Sequence, residues 1–144
     1  MLIRKASPAD SPLLAQLASR LWKHDPADLE PEFAALTASP EAACFLAFDG
    51  EKAIGFAQCQ LRHDYVEGTS TSPVGFLEGL WVEEGHQRQG VATQLVRACE
   101  DWARSVRCTE FGSDCELDND ASWAFHLACG FEEVNRTIWF AKKL

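Results

Sequence analysis

The stretch Gln87-Arg88-Gln89-Gly90-Val91-Ala92-Thr93 decides the fold of this chain. It follows Val74 to Val82, a mainly apolar run typical of a buried strand, and it opens Gly90 to Val106, where apolar residues recur at helical spacing. Glycine and alanine at the start of a helix let a phosphate approach the backbone N–H groups at the positive end of the helix dipole. The stretch therefore predicts a pyrophosphate cradle between a strand and a helix.

The same stretch differs from the two commonest nucleotide-binding loops. No Gly-Lys-Ser or Gly-Lys-Thr follows, as a P-loop requires, and the strand, turn and glycine spacing differ from the dinucleotide fingerprint. These differences disfavour ATP and NAD as ligands of the cradle.

Strands and helices follow one another along the whole chain. The patterns predict strands at residues 2–5, 44–48, 53–61, 74–82, 108–113 and 137–141, and helices at residues 13–22, 30–37, 90–106 and 119–128. Asp49-Gly50 is a strong hairpin signal between the second and third strands. His63 to Pro73 is polar and interrupted by glycine and proline, which is typical of a loop that lines a binding site. Because no repeat or linker is present, we expect residues 1–144 to form one α/β domain.

The charge and the cysteines of the chain limit its partners. Thirteen Lys and Arg against 22 Asp and Glu give a formal net charge of −9, which disfavours nucleic acid and anionic membrane and favours a cationic small molecule. The N-terminus lacks the apolar stretch of a signal peptide and no run reaches the ~18 apolar residues of a membrane span, so we expect a cytoplasmic protein. The six cysteines form no CxxC pair and are expected to be buried free thiols, with no metal bound.

Two carboxylates stand out in or after strand-like runs. Glu78 interrupts an apolar run, and strand alternation would place it beside Phe76 and Leu80 on one face. A carboxylate in such surroundings needs a partner or a function, and we favour catalysis or binding of an ammonium substrate over a structural ion pair. Asp114 ends the next strand, where it would face the same cleft. Either residue is a candidate catalytic base or amine anchor; the alternative for Asp114 is a turn-capping role.

The cradle resembles that of the GCN5-related N-acetyltransferase superfamily. Its signature is Gln/Arg-x-x-Gly-x-Gly/Ala after an apolar strand, and Gln87-Arg88-Gln89-Gly90-Val91-Ala92 fits it. Asn119 to Phe131 is similar to the superfamily's helix that begins with Asn and ends in Gly-Phe, and the order of elements agrees over nearly the full length. The resemblance implies a mixed, splayed central sheet with helices on both faces and acetyl-CoA in the split.

Other segments are similar to the bacterial aminoglycoside 6'-N-acetyltransferases of this superfamily. They are Leu21-Trp22, Arg62 to Gly68, Ser72 to Gly79 and Ser113-Asp114, all outside the cofactor motif. The resemblance implies direct acetyl transfer from acetyl-CoA to the 6'-amine of an aminoglycoside in a ternary complex, giving antibiotic resistance. It also implies a homodimer in which the last strand is exchanged or docked. Two alternatives stay open: an N-acetyltransferase for a polyamine, amino sugar or peptide amine, and a non-catalytic acyl-CoA binding module.

The resemblance also assigns site residues. The cofactor would be held by backbone groups of Leu80, Trp81 and Val82 at the pantetheine arm, by Arg88, Gln89, Gly90, Val91, Ala92 and Thr93 at the pyrophosphate, and by Asn119. The substrate would contact Trp22, His24, Tyr65, Glu78, Asp114 and Asn135. Related enzymes can carry an acidic residue where this chain has Asn135. His126 stands where many members carry a tyrosine that protonates the departing thiolate, and we favour a structural role for this histidine.

Overall fold

The computed structural model describes residues 1–144 and contains five strands and four α-helices. The strands are β1 (Leu2–Lys5), β2 (Ala42–Asp49), β3 (Lys52–Arg62), β4 (Val74–Val82) and β5 (Phe111–Ser113). The helices are α1 (Ser11–Trp22), α2 (Pro26–Ala38), α3 (Val91–Ser105) and α4 (Asp120–Ala128), and one 3-10 turn at Pro8–Asp10 precedes α1. Every predicted helix is present, although α2 begins four residues earlier than predicted because Asp25 caps it by accepting the Ala27 N–H at 2.9 Å.

The five strands form one mixed sheet in the order β1-β2-β3-β4-β5. The first four are antiparallel neighbours, whereas β5 lies parallel to β4. The predicted hairpin between β2 and β3 is confirmed: Asp49 pairs with Lys52, and Gly50 takes the left-handed conformation that the tight turn requires, with φ of 61°.

The sheet is split between β4 and β5. The two strands pair only over Gly75–Leu77 and Phe111–Ser113, although β4 continues to Val82. Beyond these pairs one edge of β4 has no neighbouring strand, so its backbone groups face an open cleft. The splayed mixed sheet implied by the sequence is confirmed.

A β-bulge marks the point where the split opens. Leu77 pairs with Cys59 and Gly79 pairs with Gln58, so Glu78 is an extra residue opposite β3. The bulge changes which side chains share a face: Leu80 packs on the core under α3, whereas Phe76 belongs to a small cluster with other residues. The predicted placement of Glu78 on one face with both neighbours is therefore wrong for Leu80.

The helices cover both faces of the sheet, as expected. One core lies under α1 and α2 and includes Leu14, Phe33 and Phe56, all fully buried. The other lies under α3 and includes Leu95 and Cys99. Each large apolar side chain buried in this way stabilises the fold by about 1.5–3 kcal/mol.

Two sequence predictions fail at exposed positions. No strand forms at residues 137–141; Trp139 is 90% and Phe140 92% exposed. A strand needs a hydrogen-bonded neighbour, and no segment of the same chain lies beside this one. All six cysteines are free, and Cys44, Cys59, Cys99 and Cys108 are buried as expected, but Cys115 is exposed and Cys129 only half-buried.

Candidate active site

The predicted pyrophosphate cradle lies at the N-terminus of α3. Gly90 caps the helix with φ of 82°, and space is open beside its Cα. The first helical hydrogen bond runs from the Gln94 N–H to the Gly90 carbonyl at 3.0 Å. The N–H groups of Val91, Ala92 and Thr93 therefore have no acceptor within the chain and point out of the helix end. Three free donors at the positive end of a 15-residue helix form an anion-binding site.

The loop before α3 is fixed to β4 by a side chain. The Gln87 amide donates to the Val82 carbonyl at 3.1 Å, and the Gln89 amide reaches the Gly85 carbonyl at 3.5 Å. Arg88 adopts φ of 62° and forms no salt bridge within the chain. Its guanidinium is consequently free to meet a phosphate.

The free edge of β4 leads from this cradle towards the bulge. Leu80, Trp81 and Val82 pair with β3 on one side and face the cleft on the other. Their unpaired backbone groups can hydrogen-bond amides of an extended ligand such as a pantetheine arm. Asn119, the other predicted cofactor contact, caps α4: its side-chain oxygen accepts the Ser122 N–H at 3.1 Å.

A cavity of about 280 Å³ lies on the α1–α2 side of the sheet. Three of the predicted substrate residues line it together: Trp22, His24 and Glu78. Its remaining walls are Leu29, Glu32, Phe33, Leu36 and Gln58. A concave site with aromatic walls and carboxylates suits an amphipathic cation.

Trp22 forms one wall of this cavity and closes over β4. Its ring packs at 6.4 Å from the ring of Phe33 and edge-on at 5.9 Å from that of Phe56. The indole lies so close to Gly79 that a Cβ there would come within 2.6 Å of two ring carbons. Trp22 thus packs against the core and borders the cavity at once.

Glu78 forms an ion pair with Arg62, which the sequence analysis did not assign to the site. Arg62 donates from Nε to Oε1 at 3.0 Å and from Nη2 to Oε2 at 3.2 Å. The same guanidinium lies 3.5 Å from the centre of the Phe76 ring. The structural ion pair that we disfavoured for Glu78 is therefore present, and its carboxylate is both lining the cavity and compensated in charge.

Asp114 stands at the corresponding point of β5. Leu77 and Ser113 are register partners, and Glu78 and Asp114 are the residues that follow them on either side of the split. Asp114 is exposed and its carboxylate has no hydrogen-bond partner or salt bridge. Because its carboxylate accepts no hydrogen bond, the structure does not support the turn-capping alternative. Asp114 lies beside the split but lines neither the Trp22 cavity nor the depression beside Tyr65.

Tyr65 and Asn135 are brought together away from the Trp22 cavity. Glu67 accepts from the Tyr65 hydroxyl at 3.1 Å and from the Asn135 amide at 2.7 Å. Tyr65 is 75% exposed and lines a second depression with residues 61–64. The loop that carries it is anchored to the start of β5 because Glu110 accepts the N–H groups of Ser70 and Thr71, each at 2.9 Å.

The sequence analysis missed Glu32, Gln58 and Arg62. Glu32 had a detectable signal, since it is a charged residue between Leu29 and Phe33 on the apolar face of α2. Gln58 had one as well, because it follows Phe56 by two positions in an apolar strand and so shares its face; the structure leaves it 8% exposed. Arg62 begins a segment that resembles the aminoglycoside enzymes, but nothing in that segment pairs it with Glu78, which comes 16 positions later and meets it only through the strand register.

Two general properties complete the description of the chain. None of its helices combines the length and the apolar character needed to cross a membrane. No group of three or more His, Cys, Asp or Glu side chains is arranged to hold a metal ion.

Comparison with known proteins identifies the family. The model of the acetyltransferase (GNAT) family matches residues 12–131. The chain is 42% identical to aminoglycoside N(6')-acetyltransferase type 1 of Acinetobacter haemolyticus, with 100% of this chain and 99% of the relative aligned. It is 45% identical to the protein of the same name from Stenotrophomonas maltophilia, with 99% and 93% aligned.

Solved structures of related proteins match this chain over nearly its full length. AAC(6')-Iy in complex with a bisubstrate analogue, CoA-S-monomethyl-acetylneamine, has a TM-score of 0.92 and 35% identity over 99% of this chain and 98% of its own. AAC(6')-Ig from Acinetobacter haemolyticus, an aminoglycoside antibiotic 6'-N-acetyltransferase, has a TM-score of 0.88 and 42% identity over 100% and 99%. The superfamily resemblance of the sequence is thereby confirmed, and the chain belongs to the acetyltransferase (GNAT) family.

Proposed function

We propose that this chain transfers acetyl from acetyl-CoA to the 6'-amine of an aminoglycoside and so confers antibiotic resistance. One observation carries the proposal: the cofactor edge of β4 and an acidic, aromatic cavity meet at the bulge that holds Glu78. Relatives at 42–45% identity over the full length carry this activity in their names, and one similar structure contains CoA joined to an acetylated aminoglycoside fragment.

The geometry supports direct transfer in a ternary complex. Acetyl-CoA would enter from the α3 side, with its pyrophosphate on residues 88–93, its pantetheine arm along Leu80–Val82 and Asn119 nearby. The amine would enter from the Trp22 cavity on the opposite face. A backbone N–H on the free edge of β4 can stabilise the charge that develops on the thioester oxygen, a contribution of about 3 kcal/mol for one well-placed donor.

The two carboxylates take different parts in this proposal. Asp114, exposed and without a partner, anchors the ammonium group or accepts its proton. Glu78, fixed by Arg62, orients the amine at the bulge. His24 and Glu32 complete the cavity wall, and the Tyr65–Glu67–Asn135 group offers a carboxylate to a more distant part of the substrate.

Release of the CoA thiol tests the activity directly. Purified protein is given acetyl-CoA and aminoglycosides that have or lack a 6'-amine, with spermidine and a lysine peptide as other acceptors. Turnover confined to drugs with the 6'-amine supports the proposal. Turnover only with the polyamine or peptide would mean that the enzyme acetylates a different class of amine. No thiol release with any acceptor would favour the non-catalytic acyl-CoA binding module.

Matched variants test the two carboxylates in the same assay. Glu78→Gln and Asp114→Asn each keep the size of the side chain and should lower turnover at least about tenfold. Binding of CoA, measured by calorimetry, should stay near the wild-type value. If both variants keep the wild-type kcat/KM, this assignment of the site is wrong.

We further propose a cytoplasmic homodimer. Residues 138–140 form an apolar segment, with Ile138 76% exposed, that has the composition of a strand and no neighbour within the chain. A second copy could supply that neighbour by exchange or docking of the segment. Six free cysteines suit a reducing compartment. Light scattering after size-exclusion chromatography tests the dimer: removal of residues 137–144 should leave a monomer, and a wild-type monomer would refute it.

A further inference from the structure

Ser113 and His126 form a polar pair at the opening of the split. Ser113 is the last residue of β5 that pairs with β4, directly before Asp114. Two positions earlier, Phe111 packs against the core under α3, so Ser113 faces the same side. There its Oγ lies 2.7 Å from Nε2 of His126 on α4. The pair thus lies on the side from which the α3 cradle would hold CoA.

The surroundings of His126 fix its tautomer. Its Nδ1 lies 2.7 Å from the backbone carbonyl of Ser122, which can only accept a hydrogen bond, so the proton is on Nδ1. In the neutral ring Nε2 then carries a lone pair, and the Ser113 hydroxyl must donate to it. The Phe131 ring, 5.2 Å away, and the Phe125 ring, 6.1 Å away, hold the imidazole in place. A hydroxyl joined to an oriented imidazole is the arrangement that moves protons in many enzymes.

We propose that Ser113 and His126 form a proton relay between the attacking nitrogen and the departing sulfur; this inference rests on the proposed acetyl transfer. As the C–N bond forms, a proton of the amine passes to Ser113 Oγ while the hydroxyl proton passes to His126 Nε2. As the C–S bond breaks, its electron pair stays on sulfur. The sulfur takes a proton from Ser113, and Nε2 returns its proton to Oγ. The imidazole ends neutral, one N–H bond is replaced by one S–H bond, and no outside acid is consumed.

The relay assigns a chemical part to the histidine that replaces the tyrosine of many relatives. A tyrosine could donate a proton to the sulfur but would need a separate acceptor for the proton of the amine. A neutral imidazole behind a hydroxyl does both in sequence. Glu78 is compensated by Arg62, and with Asp114 anchoring the ammonium group the relay supplies the acceptor for the proton that the amine loses as it attacks. The structural role that the sequence favoured for His126 is thus replaced by a role in proton transfer.

Four variants test the relay. Ser113→Ala and His126→Gln each remove one member, and each should lower kcat about 100-fold, the usual size of a proton-transfer contribution. The double variant should be no slower than either single one, because the two residues act as a unit. Ser113→Thr keeps the hydroxyl on a residue that suits a strand, and it should restore kcat to within about threefold of wild type. In all four variants the Kd for CoA and the unfolding midpoint should stay near wild-type values.

Several outcomes would overturn the relay. The first is an active wild type together with unchanged kcat in Ser113→Ala and His126→Gln. The second is multiplication of the two losses in the double variant, which would mean independent roles. The third is an acetyl ester on Ser113, found by mass spectrometry after exposure to acetyl-CoA and passed on to the amine, since it would make the serine a nucleophile. A wild type that is inactive with every amine would refute the proposed function and the relay together.

Discussion

A methyl group at position 79 would collide with the wall of the substrate cavity. Its Cβ would lie 2.6 Å from two carbons of the Trp22 ring, whereas ordinary contact begins at 3.4 Å, so the indole must retreat by about 0.8 Å. Phe33 and Phe56 pack against the same indole and are fully buried, which leaves little room for the movement. The Gly79→Ala substitution therefore displaces a wall of the Trp22 cavity, the proposed substrate site, without touching the cradle.

The expected effect divides between stability and substrate binding. Forcing a methyl group into a packed core costs about 1–3 kcal/mol, which urea unfolding measures. A displacement of about 1 Å at a positioning residue can cost up to about 100-fold in rate, so kcat/KM for the aminoglycoside should fall by one to two orders of magnitude. The KM for acetyl-CoA should change little, since the pyrophosphate cradle begins nine residues further on at Arg88 and Leu80–Val82 would hold the pantetheine arm through backbone groups, whereas the methyl group collides with the Trp22 side chain. Thiol release with each substrate varied in turn separates the two constants.

A second substitution tests whether Trp22 transmits the effect. Trp22→Phe shortens the ring that would collide, so Gly79→Ala should cost much less in that background than in the wild type. If Gly79→Ala costs the same in both backgrounds, or raises the KM for acetyl-CoA and leaves that for the amine unchanged, the reasoning from the close approach is refuted.

Three further predictions concern other parts of the chain. The hydrogen bond from Arg4 lowers the pKa of Asp10 from 3.8 to about 2, so the pair stabilises the fold above pH 3.8 and this contribution is lost as the pH falls towards 2. The difference in unfolding free energy between wild type and Asp10→Asn should therefore shrink over that range, and a constant difference would contradict the prediction. Gly90→Ala places a side chain at φ of 82° in the cradle and should raise the Kd for CoA, measured by calorimetry, about tenfold. Gly85→Ala, at φ of 94°, is the matched control and should leave that Kd unchanged. Glu110→Gln weakens the anchor of the loop that carries Tyr65 and should raise the KM for the amine about threefold with kcat nearly constant; equal losses in kcat would contradict a purely positioning role.

Local patterns in the sequence were sufficient to predict most of the strands and helices. Asp49-Gly50 specified the hairpin because a two-residue turn needs a positive φ, and the apolar face of α3 recurs at helical spacing over four turns. The bulge at Glu78 could not be predicted in this way, since an inserted residue is defined only by the strand opposite it. The segment at residues 137–141 has the composition of a strand, but composition does not supply a neighbour.

The site residues also differ in whether a local pattern could predict them. The cradle residues are consecutive, so one motif placed all of them at the N-terminus of α3. The cavity is assembled from four elements, and Glu32 and Gln58 meet there only because α2 lies over the sheet that contains β3. The Arg62–Glu78 pair depends on the β3–β4 register, and the Ser113–His126 pair depends on where α4 crosses the end of β5. Contacts between distant segments carry no signal in either segment alone.

An arginine beside a site for cations has a physical explanation in this structure. The side chain of Glu78 is only 16% exposed, and an unpaired carboxylate at such a position would cost several kcal/mol. Arg62 removes that cost and is itself held over the Phe76 ring. In the proposed reaction, attraction for ammonium groups falls to Glu32 and Asp114, whose side chains are exposed and form no salt bridge. In the proposed reaction the compensated carboxylate of Glu78 would fix geometry and the exposed carboxylates would attract the substrate, so the proton of the amine would pass to the uncharged relay at the split.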